Sequence, residues 1–331
     1  MPAEPTSEAL RIWVDRFGKD LELIDDLDPG LLAQPGGVAV SGGPDSMALM
    51  WLMFQAKHGG FRVASVDHGL RAESAHEVRK VADEAQALGI PHDIWTIDWP
   101  DGSPKASLQD EARKVRYRAL ERWAADHGLA WIMTAHHADD QAETMVMRLV
   151  RGSGLAGLSG IRRMRQSGPV MLVRPLLDWR RADLDDLCAQ AGIGISRDPS
   201  NDDPRHDRTR TRQLLNQPGM PDPQGMAETA NRLAGAEEAL QWACGEVLRT
   251  RCNWPGDNCR FDAAGLPDEL VRRTLVAILG HMGDEVRGQA AHRAMLALRR
   301  GETVSLGHAQ LRPGETWLVR KIDAESSPVD A

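Results

Sequence analysis

From residue 38 to residue 150 the chain repeats one pattern four times, a short β-type run followed by a longer segment with helical apolar spacing. The runs span residues 38–41, 61–66, 93–97 and 130–134, and the helical segments after them span 45–57, 72–88, 108–127 and 139–150. Parallel neighbours need a long crossover, which a helix supplies, so this order predicts a parallel sheet with helices on both faces. A further strand over 170–174, read as an edge, brings the count to five, and a helix over 181–191 follows. The expected class is therefore α/β, with a five-stranded parallel sheet.

The length of 331 residues suits two domains. Residues 1–34 read as an acidic, helical N-terminal extension, 35–216 as the sheet domain, 217–225 as a proline-rich linker, and 226–331 as a smaller, mostly helical domain closing in a hairpin over 304–319. Residues 198–212, crowded with Asp, Pro and Arg, read as an exposed connector. No apolar run exceeds the eight residues from Met47 to Phe54, so no membrane partner is expected. The acidic opening has no apolar core of a secretion signal, and the four cysteines form no C-x-x-C pair; a reduced, cytoplasmic protein follows.

A net charge of -8 argues at first against a nucleic-acid partner. The excess, however, lies at the ends: residues 1–34 carry -5 and the last ten carry -3, leaving the remainder neutral. Between Thr144 and Leu177 six arginines, including Arg151, Arg162, Arg163 and Arg165, meet no acid at all. Arg205, Arg208, Arg210 and Arg212 follow with only Asp207 among them. Such stretches suit contact with a phosphate backbone.

The segment Ser41-Gly42-Gly43-Pro44-Asp45-Ser46 stands between the first strand and its helix. Glycines let backbone amides approach an anion, and the helix N-terminus attracts it. It is not a Walker A loop, because Gly43 stands where the lysine belongs. Ser41 and Ser46 would then bond phosphate oxygens, with Asp45 beside them as a ligand for Mg²⁺. At the end of the fourth strand, His136 and His137 precede Asp139, Asp140 and Glu143 in the first turns of the next helix. Acidic capping accounts for one or two of these acids. Asp139 and Glu143, four residues apart, share a face directed at the same crevice, where carboxylates can hold Mg²⁺ or a substrate ammonium and accept its proton.

Ser41 to Ser46 resembles the S-G-G-x-D-S signature of the PP-loop ATP pyrophosphatases, whose fold is the adenine nucleotide alpha hydrolase type. Further segments resemble the tRNA(Ile)-lysidine synthetase branch: Val66-Asp67-His68-Gly69-Leu70-Arg71, Ala112-Arg113-Lys114-Val115-Arg116-Tyr117, His136 to Thr144, Arg151 to Leu158, Arg174-Pro175-Leu176-Leu177 and Asp198-Pro199-Ser200-Asn201. The resemblance implies ATP and Mg²⁺ as cofactors and L-lysine and a CAU-anticodon tRNA(Ile) as substrates. It implies nucleotide contacts from the loop, Asp67 and His68, catalytic work by Asp45, Arg113, His136, Asp139, Asp140 and Glu143, and Mg²⁺ on Asp45 and Asp139. The arginine stretches and the C-terminal domain would hold the tRNA, and a homodimer is compatible with the sequence. Many members of the family carry a further C-terminal domain, which this sequence is expected to lack. Three other readings stand beside this one, the last of them sharing only the sheet topology. A tRNA 2-thiocytidine sulfurtransferase would need cysteines, and an NAD-synthetase-like amidation would not need the arginine-rich stretch. A non-catalytic adenine-nucleotide-binding protein would not need Asp45 and the carboxylates.

Overall fold

A computed structural model of the chain describes residues 8–56, 60–67, 72–97, 108–196 and 207–322. His68, Arg205 and the segment 198–201 lie outside the described residues. The chain divides into two units, Met1–Ala234 and Gly235–Ala331.

The first unit opens with α1 (Glu8–Leu27), β1 (Gly36–Ala39), α2 (Pro44–Gln55), β2 (Phe61–Asp67), α3 (Ala72–Ala87), β3 (His92–Thr96), α4 (Leu108–His127) and β4 (Trp131–Met133). It continues through α5 (Ala138–Val150), the single turn α6 (Leu155–Leu158), β5 (Met164–Ser167), β6 (Val170–Val173), α7 (Arg181–Ala191) and α8 (Asp207–Leu215), and α9 (Pro223–Arg251) runs on across the boundary. The sheet order is β3-β2-β1-β4-β6-β5. Five strands are parallel as expected, and β5 adds a sixth, antiparallel to β6. The strand at 170–173 is therefore internal and β5 is the edge. Met164, Arg165 and Gln166 alternate too weakly in polarity to reveal that hairpin arm in the sequence.

Glycines at the start of β1 admit the tryptophans beside it. A Cβ on Gly36 would lie 1.9 Å from the Trp131 ring, and one on Gly37 would lie 2.1 Å from Trp123. Helix α2 is buried on all sides from Met47 to Met53, matching its continuous apolar run.

Helix α1, read as an extension, is built into the same core through Phe17, Leu21 and Ile24. Its polar side is fixed as well, since Arg16 pairs with Asp183 at 3.0 Å and Trp179 donates to Asp20 at 2.7 Å. Two further segments differ from expectation. Residues 207–212, expected as part of an exposed connector, belong to α8, in which Thr209 and Leu215 are buried. The proline-rich segment 217–225 runs directly into α9, because Pro223 suits a first helical turn, and the boundary between units falls inside that helix.

The second unit adds β7 (Cys252–Asn253), β8 (Cys259–Phe261), α10 (Asp268–His281), α11 (Gly288–Arg299), β9 (Val304–Leu306), β10 (Ala309–Arg312) and β11 (Trp317–Lys321). The strands form an antiparallel sheet in the order β7-β8-β11-β10-β9. A hairpin was expected; the other strands are two or three residues long, too short to show alternation. Phe261, Val271, Leu275, Ile278, Met295 and Leu311 form its core. Among the described residues no helix is long and apolar enough to cross a membrane.

Candidate active site

Chain order reverses direction in the sheet between β1 and β4, and ligands of open α/β sheets bind at such a switch point, outside the carboxyl ends of the strands. The loop after β1 and the loop after β4 both open there.

The first loop is held in a tight arch. Gly42 has φ +88, a conformation that side chains rarely adopt, and its carbonyl accepts from Ser196 N at 2.8 Å. Ser46 Oγ accepts from Ser41 N at 3.0 Å and donates to Gly43 O at 3.1 Å, while the two serine hydroxyls stand 3.2 Å apart. Gly43 caps α2 without a side-chain acceptor and Pro44 starts the helix. The helix N-terminus therefore keeps its attraction for an anion.

The second loop places His137, not His136, at the centre. His137 is the N-cap of α5, and Asp140 accepts from its backbone N–H at 3.2 Å. The His137 ring is only 3% exposed as a residue and lies 3.6 Å from a carboxylate oxygen of each of Asp45, Asp139 and Asp140. Burial opposes a charge on this ring, but the three carboxylates outweigh it and raise its pKa to about 9. A cationic ring cannot accept at Nδ1, so the long 3.4 Å approach of Asp140 N adds little to the cap. Burial also opposes ionisation of Asp140, yet His137, His136 and Arg208 hold it well below the ordinary carboxylate range.

The sequence-selected residues separate into distinct environments. Asp45 and Asp140 meet on His137. Asp139 faces α7: it accepts from Arg181 N at 2.8 Å, and the Arg180 guanidinium approaches its two oxygens at 3.3 and 3.4 Å. Glu143, 1% exposed, pairs with Arg212 at 2.7 Å and approaches Arg208 at 3.8 Å. Burial, followed by the Asp140 charge, raises the Glu143 pKa despite those arginines. His136 turns the other way, with Nδ1 3.0 Å from Thr134 Oγ1, and burial pushes its pKa well below the ordinary value. Arg113 stacks on Tyr117, its Cζ 5.2 Å from the ring centroid. Asp67 ends β2, where its carbonyl accepts from Ile97 N at 2.8 Å.

The arginines read as a nucleic-acid surface divide in the same way. Arg163 is tied to Asp178 and to Pro175 O, and Arg162 donates to Ala234 O at 3.2 Å. With only 13% of its side chain exposed, Arg163 is a structural tie and not a free surface cation. Arg212 likewise belongs to Glu143. Arg151, Arg165 and Arg210 are exposed; Arg151 stands 3.5 Å from Asp207, which also pairs with Arg210. Sequence reasoning missed the central role of His137 and the contact of Arg180 with Asp139. Nothing in an adjacent His-His pair tells which ring turns inward.

Comparison with known proteins identifies the family. The PP-loop domain family matches residues 25–218, more than half of the chain. The tRNA(Ile)-lysidine synthase of Novosphingobium aromaticivorans is 42% identical over 307 residues, covering 90% of each chain. That of Ruegeria pomeroyi is 41% identical over 300 residues, covering 86% of this chain and 71% of the relative. That of Zymomonas mobilis is 36% identical over 308 residues, covering 90% and 93%. Among solved structures, the U34-tRNA thiolase NcsA of Methanococcus maripaludis aligns with a TM-score of 0.53 at 16% identity, over 68% of this chain and 79% of that one. That likeness concerns the fold, which is of the adenine nucleotide alpha hydrolase type. On the sequence relatives and the matched domain, the chain belongs to the tRNA(Ile)-lysidine synthase family of PP-loop proteins.

Proposed function

We propose that this enzyme joins L-lysine to C2 of the wobble cytidine in the CAU anticodon of tRNA(Ile), consuming ATP and forming lysidine. The observation that carries the reading is the junction at His137, where Asp45 of the phosphate loop meets the acids opening α5. The shared name of relatives 36 to 42% identical supplies the substrate class.

In the first step the C2 oxygen of the cytidine attacks the α-phosphorus of ATP, and the bond to pyrophosphate breaks. The amides at the start of α2, with Ser41 and Ser46, hold the phosphates and stabilise the charge leaving on pyrophosphate. Asp45 Oδ1 is buried and has no hydrogen-bond partner. A single such carboxylate oxygen beside substrate phosphates suits Mg²⁺, which usually takes one or two carboxylates and keeps its remaining positions for water and phosphate. When bound, Mg²⁺ supplies further neutralisation of that leaving charge. Asp139 fits this role poorly, because both of its oxygens are engaged by α7.

In the second step the neutral ε-amine of lysine attacks C2, the C2–O bond breaks, AMP leaves, and the amine gives up a proton. Adenylation is needed because a urea-like oxygen is a poor leaving group and AMP a good one. Glu143 is suited to accept that proton, since burial raises its pKa above that of an ordinary carboxylate and makes it a stronger base. Its Oε2 is buried without a hydrogen bond. Asp140, held ionised, fits the lysine ammonium before deprotonation.

A sulfurtransferase reading is disfavoured by Cys188, whose thiol is pushed up to about 12 by burial and nearby carboxylates, leaving it unreactive. The test is pyrophosphate release from ATP: it should require an RNA carrying the CAU anticodon and should proceed without lysine. Release that ignores the RNA would overturn the assignment.

A further inference from the structure

Four arginines converge on Tyr117, the single tyrosine of the chain. Arg113 and Arg116 come from α4, Arg165 from β5, and Arg174 from the residue after β6. The Cζ atoms of Arg113, Arg116 and Arg165 stand 5.2, 6.0 and 5.8 Å from the ring centroid. Arg113 donates to the phenol oxygen at 3.4 Å, and Arg174 is hydrogen-bonded to the same side chain. Arg174 is only 3% exposed; one of its amino groups donates to Arg162 O, but its Nε is buried and has no acceptor. Among the described residues no carboxylate stands within 4.0 Å of any of the four guanidinium groups, and the Asp140 charge acts on Arg116 from farther off.

Like charges so placed repel one another, and a buried guanidinium N–H without an acceptor costs free energy. The arrangement becomes favourable once an anion with several acceptor oxygens enters, and phosphate is the anion that guanidinium groups match best. The location selects between sources of phosphate. ATP phosphates belong to the loop after β1, whereas Arg165 and Arg174 sit on the β6–β5 side of β4. His136, whose pKa is depressed by burial and then by Arg174, Arg113 and Arg116, follows β4, the strand that separates β1 from β6 in the sheet.

We propose that this arginine cage holds a backbone phosphodiester adjoining the target cytidine, fixing the base between the cage and the phosphate loop. The inference rests on the tRNA reading given above. Tyr117 serves as the floor, and its hydroxyl keeps Arg113 and Arg174 turned toward the phosphate.

The full-length protein tests this, with Arg165→Ala and Arg116→Gln made singly and together. Arg165 is exposed, so its loss leaves the core intact. Binding of a CAU anticodon stem-loop and binding of ATP are measured in parallel. Each single variant should weaken the stem-loop about tenfold and lower the slope of log affinity against log salt by ~0.7, with ATP affinity within about twofold of wild type. A neutral methylphosphonate next to the cytidine should weaken wild-type binding, yet add nothing to the defect of the double variant. Loss of ATP affinity with RNA binding intact would assign the cage to ATP, and no change in either would make it structural; both outcomes overturn the proposal. Wild-type protein that cannot bind the stem-loop overturns the cage and the tRNA reading together. Wild-type protein that binds it but never transfers lysine overturns the lysine-transfer reading and leaves the cage standing.

Discussion

The imidazole Nε2 of His137 lies 3.6 Å from Oδ2 of Asp45, joining the cap of α5 to the phosphate loop across the switch point of the sheet. Two loops that are far apart in the chain thereby share one charge. His137 balances three carboxylates that would otherwise repel each other, and the second oxygen of Asp45 is left without a hydrogen-bond partner.

Asp45→Asn keeps the size of the side chain and removes its charge. Pyrophosphate release should fall by about a thousandfold, a loss typical of removing a key electrostatic group, while a cooperative thermal transition, lowered by the loss of one carboxylate beside His137, shows that the fold is kept. A variant with wild-type release would remove Asp45 from the mechanism.

The His137 pKa of about 9 lies above the ~6.5 of an unfolded histidine. The folded state therefore keeps a proton that the unfolded chain releases. The resulting stabilisation is complete below pH ~6.5 and disappears as pH rises through about 9. Thermal unfolding at pH 7 and at pH 9.5 should show a lower midpoint at the higher pH, and His137→Gln should flatten the difference. An equal pH dependence in that variant would place the titration elsewhere.

Glu143→Gln removes the proton acceptor without touching the phosphate loop. Pyrophosphate release should stay within about threefold of wild type, while lysine transfer drops at least a hundredfold, in the range expected for general-base loss. A parallel drop in both steps, measured by single-turnover kinetics, would contradict the division of labour.

Arg163→Ala leaves Asp178 without its nearest cation. It should destabilise the protein by about 2 kcal/mol, read from urea unfolding, with stem-loop affinity little changed. A stable variant that binds RNA weakly would return Arg163 to the nucleic-acid surface.

Much of this architecture was legible because its signals are local. The four strand-helix repeats, the Gly42-Gly43-Pro44 turn and the capping acids of α5 each follow from spacing within a few residues. What stayed hidden depends on distant partners. Arg163 and Arg212 look like surface cations until Asp178 and Glu143 are folded against them. Asp139 looks like a metal ligand until α7 brings Arg180 and the Arg181 amide to it. The short strands of the second unit lack a period long enough to detect, and α8 hides among turn-forming residues.

The most direct measurement is transfer of labelled lysine to tRNA(Ile) with a CAU anticodon, in the presence of ATP and Mg²⁺. Lysine should become covalently attached at the wobble cytidine, with one AMP and one pyrophosphate released per lysine, and changing that cytidine to uridine should abolish incorporation. Absence of lysine from the RNA, while the same protein consumes ATP with a thiol donor or ammonia as acceptor chemistry, would contradict the account.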